Sequence, residues 1–208
     1  MTRVLVTAFE PFGGETVNPS AQAVAGLGVV EGATVTTAVL PVVYGRAWEV
    51  LLDAVRTHDP ELVICVGQAG GRAGVTPERV AVNLDHARAD DNAGQRPTEA
   101  PIVGDGPVGY FSTLPVGAIV AALDAAGITA AASSTAGHFV CNHVFYRLMH
   151  LLATERPGVR GGFVHVPWSA EQVAGRGGDP VSLPLDSIVE ALRVVVRTSL
   201  VERVPPPP

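Results

Sequence analysis

Leu62-Val63-Ile64-Cys65-Val66 carries no polar side chain. A strand with one wet face alternates apolar and polar residues. A short run that is apolar at every position belongs to a strand covered on both faces. Arg3-Val4-Leu5-Val6-Thr7-Ala8 is a second β-rich run of this kind. Covering both faces of a sheet requires helices between the strands. The fold class that follows is α/β with a largely parallel sheet.

The rest of the chain supplies those helices. Asn18-Pro19-Ser20 has the form of an N-cap followed by proline at the first helical position, which predicts a helix to about Gly26. Thr34 to Leu40 reads as a strand. Residues 46–56 read as a helix burying Val50, Leu51, Ala54 and Val55, closed by Asp59-Pro60. Val80 to Leu84 is predicted as a strand and residues 115–126 as a helix stopped by Gly127. Ile128 to Ser133 is predicted as a fifth main strand. A helix then runs to about Glu155, and Phe163 to Val166 is the last core strand. Residues 167–184 read as loop and 185–204 as a long amphipathic helix. The turn-rich segment 85–115 is long for a compact domain, and such segments commonly act as lids or subunit contacts. A short hairpin is expected within it. There is no repeat or linker, so residues 1–204 are expected to form one catalytic domain, with 205–208 an extended proline tail.

Composition narrows the function classes. Of 208 residues, 47% are hydrophobic and 16% charged, enough for a substantial core in one domain. The net charge of −6 and the lack of a Lys/Arg cluster argue against a nucleic-acid or anionic-membrane surface. Met1-Thr2-Arg3 leads straight into a strand too short to span a bilayer, with no small-residue cleavage site after it. The two cysteines lie in different contexts, so the expected compartment is the reducing cytoplasm.

One of them, Cys141, draws attention. Ser133-Ser134-Thr135-Ala136-Gly137 is a small-residue turn after an apolar run. Val144, Phe145, Leu148, Met149, Leu151 and Leu152 then recur at helical spacing. Cys141 therefore falls at or near a helix start, where the positive end of the helix dipole favours thiolate. The competing reading is a small buried core cysteine. Two further residues bear on the choice. His165 ends an apolar run before Pro167, and Glu78 stands where a loop enters a strand. A thiol, a base and an orienting acid, each at the end of an element, suit nucleophilic catalysis. Gly67-Gln68-Ala69-Gly70-Gly71-Arg72-Ala73-Gly74 has neither dinucleotide nor P-loop spacing and reads as a backbone-lined ligand loop. His138, Cys141, His143 and His150 crowd one stretch, but their spacing does not assemble the ligands of a zinc site. No metal and no cofactor are expected.

The chain resembles the pyroglutamyl peptidases (pyrrolidone-carboxylate peptidases) of the bacterial cysteine-peptidase type. The resemblance rests on residues 9–14 (Phe-Glu-Pro-Phe-Gly-Gly), 67–72 (Gly-Gln-Ala-Gly-Gly-Arg), 77–83 (Pro-Glu-Arg-Val-Ala-Val-Asn), 134–142 (Ser-Thr-Ala-Gly-His-Phe-Val-Cys-Asn) and 163–167 (Phe-Val-His-Val-Pro). These occur in the family's order across nearly the whole chain. The resemblance implies a single-domain three-layer α/β/α sandwich with a mostly parallel twisted sheet, phosphorylase/hydrolase-like. It implies Cys141 as nucleophile, His165 as acid and base, Glu78 as the acid that orients it, and Arg88 as a group assisting the oxyanion. It implies that Phe9 and Phe12 bracket a five-membered lactam, with Asn18, Gln68, Phe139 and Val140 completing the pocket. Pyroglutamyl peptides are the expected partners, and a dimeric or tetrameric homo-oligomer the expected state. The alternative is an inactive or altered-specificity ring-binding relative. Two stretches depart from the family pattern. His143 stands where an acidic residue often follows Cys-Asn. His86-Ala87-Arg88-Ala89-Asp90-Asp91-Asn92 replaces the usual Asp-Ala-Arg-Ile-Pro-Asp-Asn.

Overall fold

Strand β1 (Thr2–Phe9) leads into α1 (Pro19–Ala25), β2 (Ala33–Leu40), α2 (Arg46–His58) and β3 (Leu62–Gln68). The computed structural model describes residues 1–178 and 180–202. The chain continues through β4 (Thr76–Pro77), β5 (Val80–Val82), β6 (Gly109–Phe111), α3 (Val116–Ala125), α4 (Val140–Thr154) and β7 (Arg160–Val166). It ends with β8 (Trp168–Ser169), α5 (Ala170–Val173), β9 (Ser182–Leu183) and α6 (Leu185–Val201). The main sheet has the order β2-β1-β3-β7-β4, parallel except for β4, which runs antiparallel to β7.

The two-faced burial expected of the apolar runs is present. Every residue of β3 is buried. Val4, Val6, Ile64, Val66 and Val164 pack with α1, α3 and α6 on one face. Leu5, Val63, Cys65 and Phe163 pack with α2 and α4 on the other. The architecture is thus a three-layer α/β/α sandwich. Each fully buried Leu, Ile, Val or Phe stabilises it by about 1.5–3 kcal/mol. Local chemistry agrees with the sequence at α1, where Asn18 Oδ1 accepts from Ser20 N–H at 3.0 Å and Pro19 opens the helix. No helix among the described residues is long and apolar enough to cross a membrane.

The sheet order places the crevice. From β1 the chain goes through α1 to β2 on one side, then returns through α2 to β3 on the other. The turnabout lies between β1 and β3, and open α/β sheets bind ligands at such points beyond the strand carboxyl ends. Pairing of β1 with β3 stops at Thr7 and Cys65, whereas β1 follows β2 as far as Phe9 and β3 follows β7 as far as Gln68. The two strands therefore diverge, with Phe9 and Gln68 at the lips.

Four sequence expectations need correction. Ile128 to Ser133 is not a regular strand. It runs beside residues 75–78 with two isolated parallel bridges, Val75 to Ala130 and Glu78 to Ser133. Between them sits Pro77, which has no N–H to donate, so the ladder is broken. Residues 167–184 are not all loop, since they hold β8, α5 and β9. Helix α6 ends at Val201, and Val204 with the proline tail lies outside the described residues. The strand expected over 80–84 stops at Val82. The Asn142 carboxamide receives Val82 N–H at 3.1 Å and donates to Val82 C=O at 2.9 Å and Leu84 C=O at 3.0 Å. Asn83 N–H still reaches Val108 C=O at 2.9 Å, so the carboxamide holds the edge that faces away from β6.

Asn142 is fully buried and immediately follows Cys141. Replacing it with Ala strands buried backbone groups, and each such group costs about 1–3 kcal/mol. We expect Asn142→Ala to lower unfolding free energy by about 3 kcal/mol, read as a shifted urea midpoint with unchanged slope. A midpoint within error of wild type would show that other contacts hold the 80–84 segment.

Candidate active site

Three elements converge beyond the crevice. Gly137, at φ +74°, turns the chain out of the 133–136 segment. Phe139 is extended at the N-cap and α4 begins at Val140, so Cys141 is the second helical residue. Across the sheet, His165 in β7 is the register partner of Gly67 in β3. Side chains alternate along strands, so Cys65, Gly67, Phe163 and His165 share the face under α4. Gly67 is what lets the sulfur down onto the sheet. A Cβ at that position would lie 2.9 Å from Cys141 Sγ and 2.9 Å from Phe163 Cζ. Cys141 Sγ therefore sits over Gly67, the register partner of His165.

His165 is nearly fully buried and Glu78 is wholly so. His165 Nδ1 lies 2.7 Å from Glu78 Oε1. An ionised carboxylate can only accept, so Nδ1 carries the hydrogen and Nε2 keeps a lone pair. Glu78 is aimed by its backbone, with its N–H on Phe163 C=O at 2.9 Å. The sequence reading did not include Arg72 in this site. Its Nη1 donates to the same Oε1 at 2.6 Å and to Thr76 Oγ1, and its Nη2 donates to Thr135 C=O at 2.8 Å. The available signal was an arginine ending a glycine loop six residues before a glutamate. That spacing alone does not distinguish it from a solvated side chain.

The environment sets the charges. Burial opposes ionisation of Glu78, but His165 and the Arg72 charge outweigh it and hold the carboxyl below its ordinary range. Burial lowers His165, with Arg72 adding to that, against the pull of Glu78, so the imidazole is neutral at pH 7. Burial pushes the Cys141 thiol up to about 12, Glu78 adds to this, and Arg72 opposes it. The helix start does not by itself make a thiolate here, because loss of water outweighs the dipole. Cys141 is nevertheless partly exposed, unlike Cys65, which is sealed in β3. The resting pair is a neutral thiol beside a neutral imidazole oriented by a charged acid.

Beside the sulfur lies a small cavity lined by Phe9, Phe12, Asn18, Val42, Gln68, Phe139, Val140 and Cys141. All six residues expected to line a pocket are in it, and Val42 is the one the sequence reading missed. Phe12 and Phe139 face each other with ring centroids 6.3 Å apart, and Tyr44 meets Phe139 edge-on at 5.6 Å. The Asn18 carboxamide donates to Glu10 C=O at 2.9 Å, bracing the 9–14 loop. Glu10 Oε1 in turn accepts from Val42 N–H at 3.0 Å and Asn92 Nδ2 at 2.8 Å. The 85–115 segment thus helps to shape the pocket. His143, the departure noted above, pairs with Asp85 at 2.8 Å in the interior. His150 pairs with the Tyr110 hydroxyl at 2.9 Å. Arg88 is not in this cavity. It lines a larger neighbouring cleft that shares Phe12 and Phe139 as a wall.

Adding one methyl at Gly67 would push directly on the sulfur. A misplacement of about 1 Å at a reacting atom can cost about 100-fold in rate. If this site is where chemistry occurs, Gly67→Ala should lose activity on that order while keeping its far-UV circular dichroism. Unchanged turnover would separate the Cys141 sulfur from the chemistry.

A sequence profile of the pyroglutamyl peptidase family matches residues 2–202. The pyrrolidone-carboxylate peptidase of Streptomyces coelicolor is 56% identical over 199 residues, which is 94% of this chain and 91% of that one. That of Klebsiella pneumoniae is 50% identical over 202 residues, 96% and 94% of the two chains. The crystal structure of Bacillus amyloliquefaciens pyroglutamyl peptidase I superposes with a TM-score of 0.93 at 44% identity, covering 97% of this chain and 98% of that one. A mutant pyrrolidone carboxyl peptidase from P. furiosus gives 0.92 at 40% identity, covering 96% and 99%. The chain belongs to the pyroglutamyl peptidase family.

Proposed function

We propose that this chain is a cysteine exopeptidase that hydrolyses the amide bond after an N-terminal pyroglutamyl (5-oxoproline) residue, through a thioester acyl-enzyme. The observation that carries the reading is the position of Cys141. Its sulfur borders both the Gly67/His165 end of the sheet and an aromatic-walled cavity. The lactam lies between Phe9 and Phe12 against Phe139 and Val140, with main-chain groups near Gln68 bonding its N–H and C=O. His165 Nε2 takes the thiol proton as Sγ attacks the scissile carbonyl carbon. First-turn N–H groups of α4, which have no intrahelical acceptor, receive the oxyanion. The imidazolium then protonates the departing amine as the C–N bond breaks. His165 next deprotonates water, the hydroxide attacks the thioester, and the sulfur leaves and regains its proton. Glu78 fixes the tautomer and supports the transient positive charge.

In this reading the neutral resting pair suits transfer of the thiol proton during attack rather than before it. The cytoplasm is the proposed location, in keeping with two free cysteines. A dimer or tetramer is the proposed state, with the exposed Val108 and Phe111 of the 85–115 segment at a contact. Light scattering in solution decides the subunit number.

Selectivity is the sharpest test. The proposed pocket offers aromatic faces and neutral backbone groups, with no charge to pair an ammonium. An N-terminal Glu brings two ions, and removing an unpaired ion from water costs several kcal/mol. An N-terminal Pro gains a charge and loses the lactam carbonyl, leaving a donor unpaired at about 1–3 kcal/mol. We expect at least about 10³-fold preference for the pyroglutamyl amide over Glu, Gln and Pro amides, measured as kcat/KM with fluorogenic leaving groups. Cys141→Ala should abolish turnover, His165→Ala should be comparably damaging, and Glu78→Gln should be milder. Comparable wild-type rates on pyroglutamyl and prolyl amides would sink the pocket assignment.

The charges give a second test, on pH. His165 must be neutral to accept the thiol proton, and its pKa lies below 6.5. Activity should therefore rise through an acid limb below that value. Removing the Arg72 cation lifts the force that helps to depress His165. Arg72→Gln should move the acid limb to higher pH. It should also cost about 10- to 150-fold in kcat/KM, the worth of a hydrogen bond to a charged group. A loss of rate with an unmoved limb would make Arg72 merely structural.

A further inference from the structure

The cleft beyond Phe12 and Phe139 is larger than the cavity that holds Cys141, and the lactam does not need it. Its lining includes Gly13, His86, Arg88, Asp90, Thr135 and His138. Three features give it a direction and a sign. Its Thr135 rim touches the proton-transfer machinery, because Thr135 C=O accepts from Arg72, which is bonded to Glu78 and through it to His165. The cleft also shares Phe12 and Phe139 with the cavity beside Cys141, and its Gly137 and His138 lie in the turn that leads into α4, so a peptide leaving the sulfur has this cleft for a neighbour. Arg88 is exposed in the cleft and its guanidinium has no hydrogen bond or ion pair among the described residues. Among the described residues the only carboxylate lining the cleft, Asp90, is already engaged by Arg96 at 2.7 Å. His86 adds a buried ring nitrogen, Nδ1, with no hydrogen-bond partner among the described residues. The free charge lining this apolar-walled cleft, among the described residues, is therefore the Arg88 cation, and His86 can donate beside it when Nδ1 carries the ring hydrogen.

We propose that the cleft seats the leaving side of the peptide and that Arg88, seconded by His86, pairs with a carboxylate there. The inference rests on the exopeptidase reading and adds a preference to it. Successive residues advance an extended chain by about 3.3–3.6 Å. In a dipeptide the terminal carboxylate follows the scissile bond by one residue, within reach of a long side chain on the cleft wall. An acidic side chain on the first leaving residue offers the same group from nearly the same place. Arg88 is then a specificity residue on the leaving side. Bidentate pairing suits a guanidinium facing a planar carboxylate.

The test compares kcat/KM for pyroglutamyl-alanine as free acid, pyroglutamyl-alanine amide and pyroglutamyl-glutamate amide, on wild type, Arg88→Gln and Arg88→Lys. Wild type should favour a carboxylate-bearing substrate over the neutral amide by about fivefold, the order for a solvent-facing ion pair. Raised salt should narrow that ratio. Arg88→Gln should erase it by slowing the carboxylate substrate selectively, and Arg88→Lys should restore part of it. Preference for the free acid alone assigns the chain terminus as the partner, and preference for the glutamate amide assigns the side chain. Equal wild-type constants for all three substrates would overturn the proposal. So would a proportional loss on all three in Arg88→Gln, which would place Arg88 on the oxyanion instead. Cleavage of none of them would overturn the exopeptidase reading and this inference together.

Discussion

A single oxygen atom, Glu78 Oε1, organises this molecule's functional end. It is wholly buried and ionised, and an unpaired buried charge costs several kcal/mol. It must therefore be met by donors, and two reach it, His165 Nδ1 at 2.7 Å and Arg72 Nη1 at 2.6 Å. Meeting that requirement draws together segments remote in sequence. Arg72 brings the end of the 67–74 glycine loop and, through Thr135, the turn that leads into α4. His165 brings the end of β7. The residues that the chemistry needs are neighbours because this one charge requires them to be.

The arrangement also decides how a sulfur can be activated in a dry place. A helix N-terminus stabilises a thiolate only if the thiolate keeps enough solvation to exist. Over Gly67, burial wins and the thiol keeps its proton. The imidazole keeps its lone pair for the same reason, since burial lowers it despite Glu78. Two neutral partners, one largely and one wholly withdrawn from water, with a fixed cation and a fixed anion behind them, are poised for coupled proton transfer and attack. Charge that develops during reaction then meets dipoles already in place.

Around that centre the fold spends its irregular parts on shape. β1 and β3 part at the reversal of strand order and leave an opening at their carboxyl ends. The 9–14 loop closes one side and is held by Asn18, Val42 and Asn92, three residues from three different segments. The 85–115 segment, long and poor in regular structure, braces the pocket and lines the cleft beside it. His143 and Asp85 tie that segment to the first turn of α4. Tyr44 lies across His143 and Phe139.

By itself the sequence determined the layers and the elements that carry Cys141 and His165, while the short antiparallel β4 that leads into Glu78 was not legible. Runs apolar at every position can only be strands covered on both faces. A capping Asn-Pro-Ser and a Gly turn before a helical period mark helix starts locally. Five of the six pocket residues lie in the family motifs, and Asn18 showed itself locally only as a helix cap. What only the tertiary structure decided is everything that depends on distant groups meeting. Arg72 looked like a loop cation until the fold set it on Glu78. Ile128 to Ser133 looked like a strand until its neighbour proved to contain Pro77, which cannot donate to the ladder. The Cys141 thiol looked favoured as an anion until packing over Gly67 took away much of its water. Arg88 lines the neighbouring cleft and not the cavity beside the sulfur, a placement that no local pattern shows. Propensity, capping and hydrophobic period act over a few residues and can be read in order along the chain. Desolvation, shared acceptors and interrupted ladders belong to pairs far apart in sequence and exist only once the chain has folded.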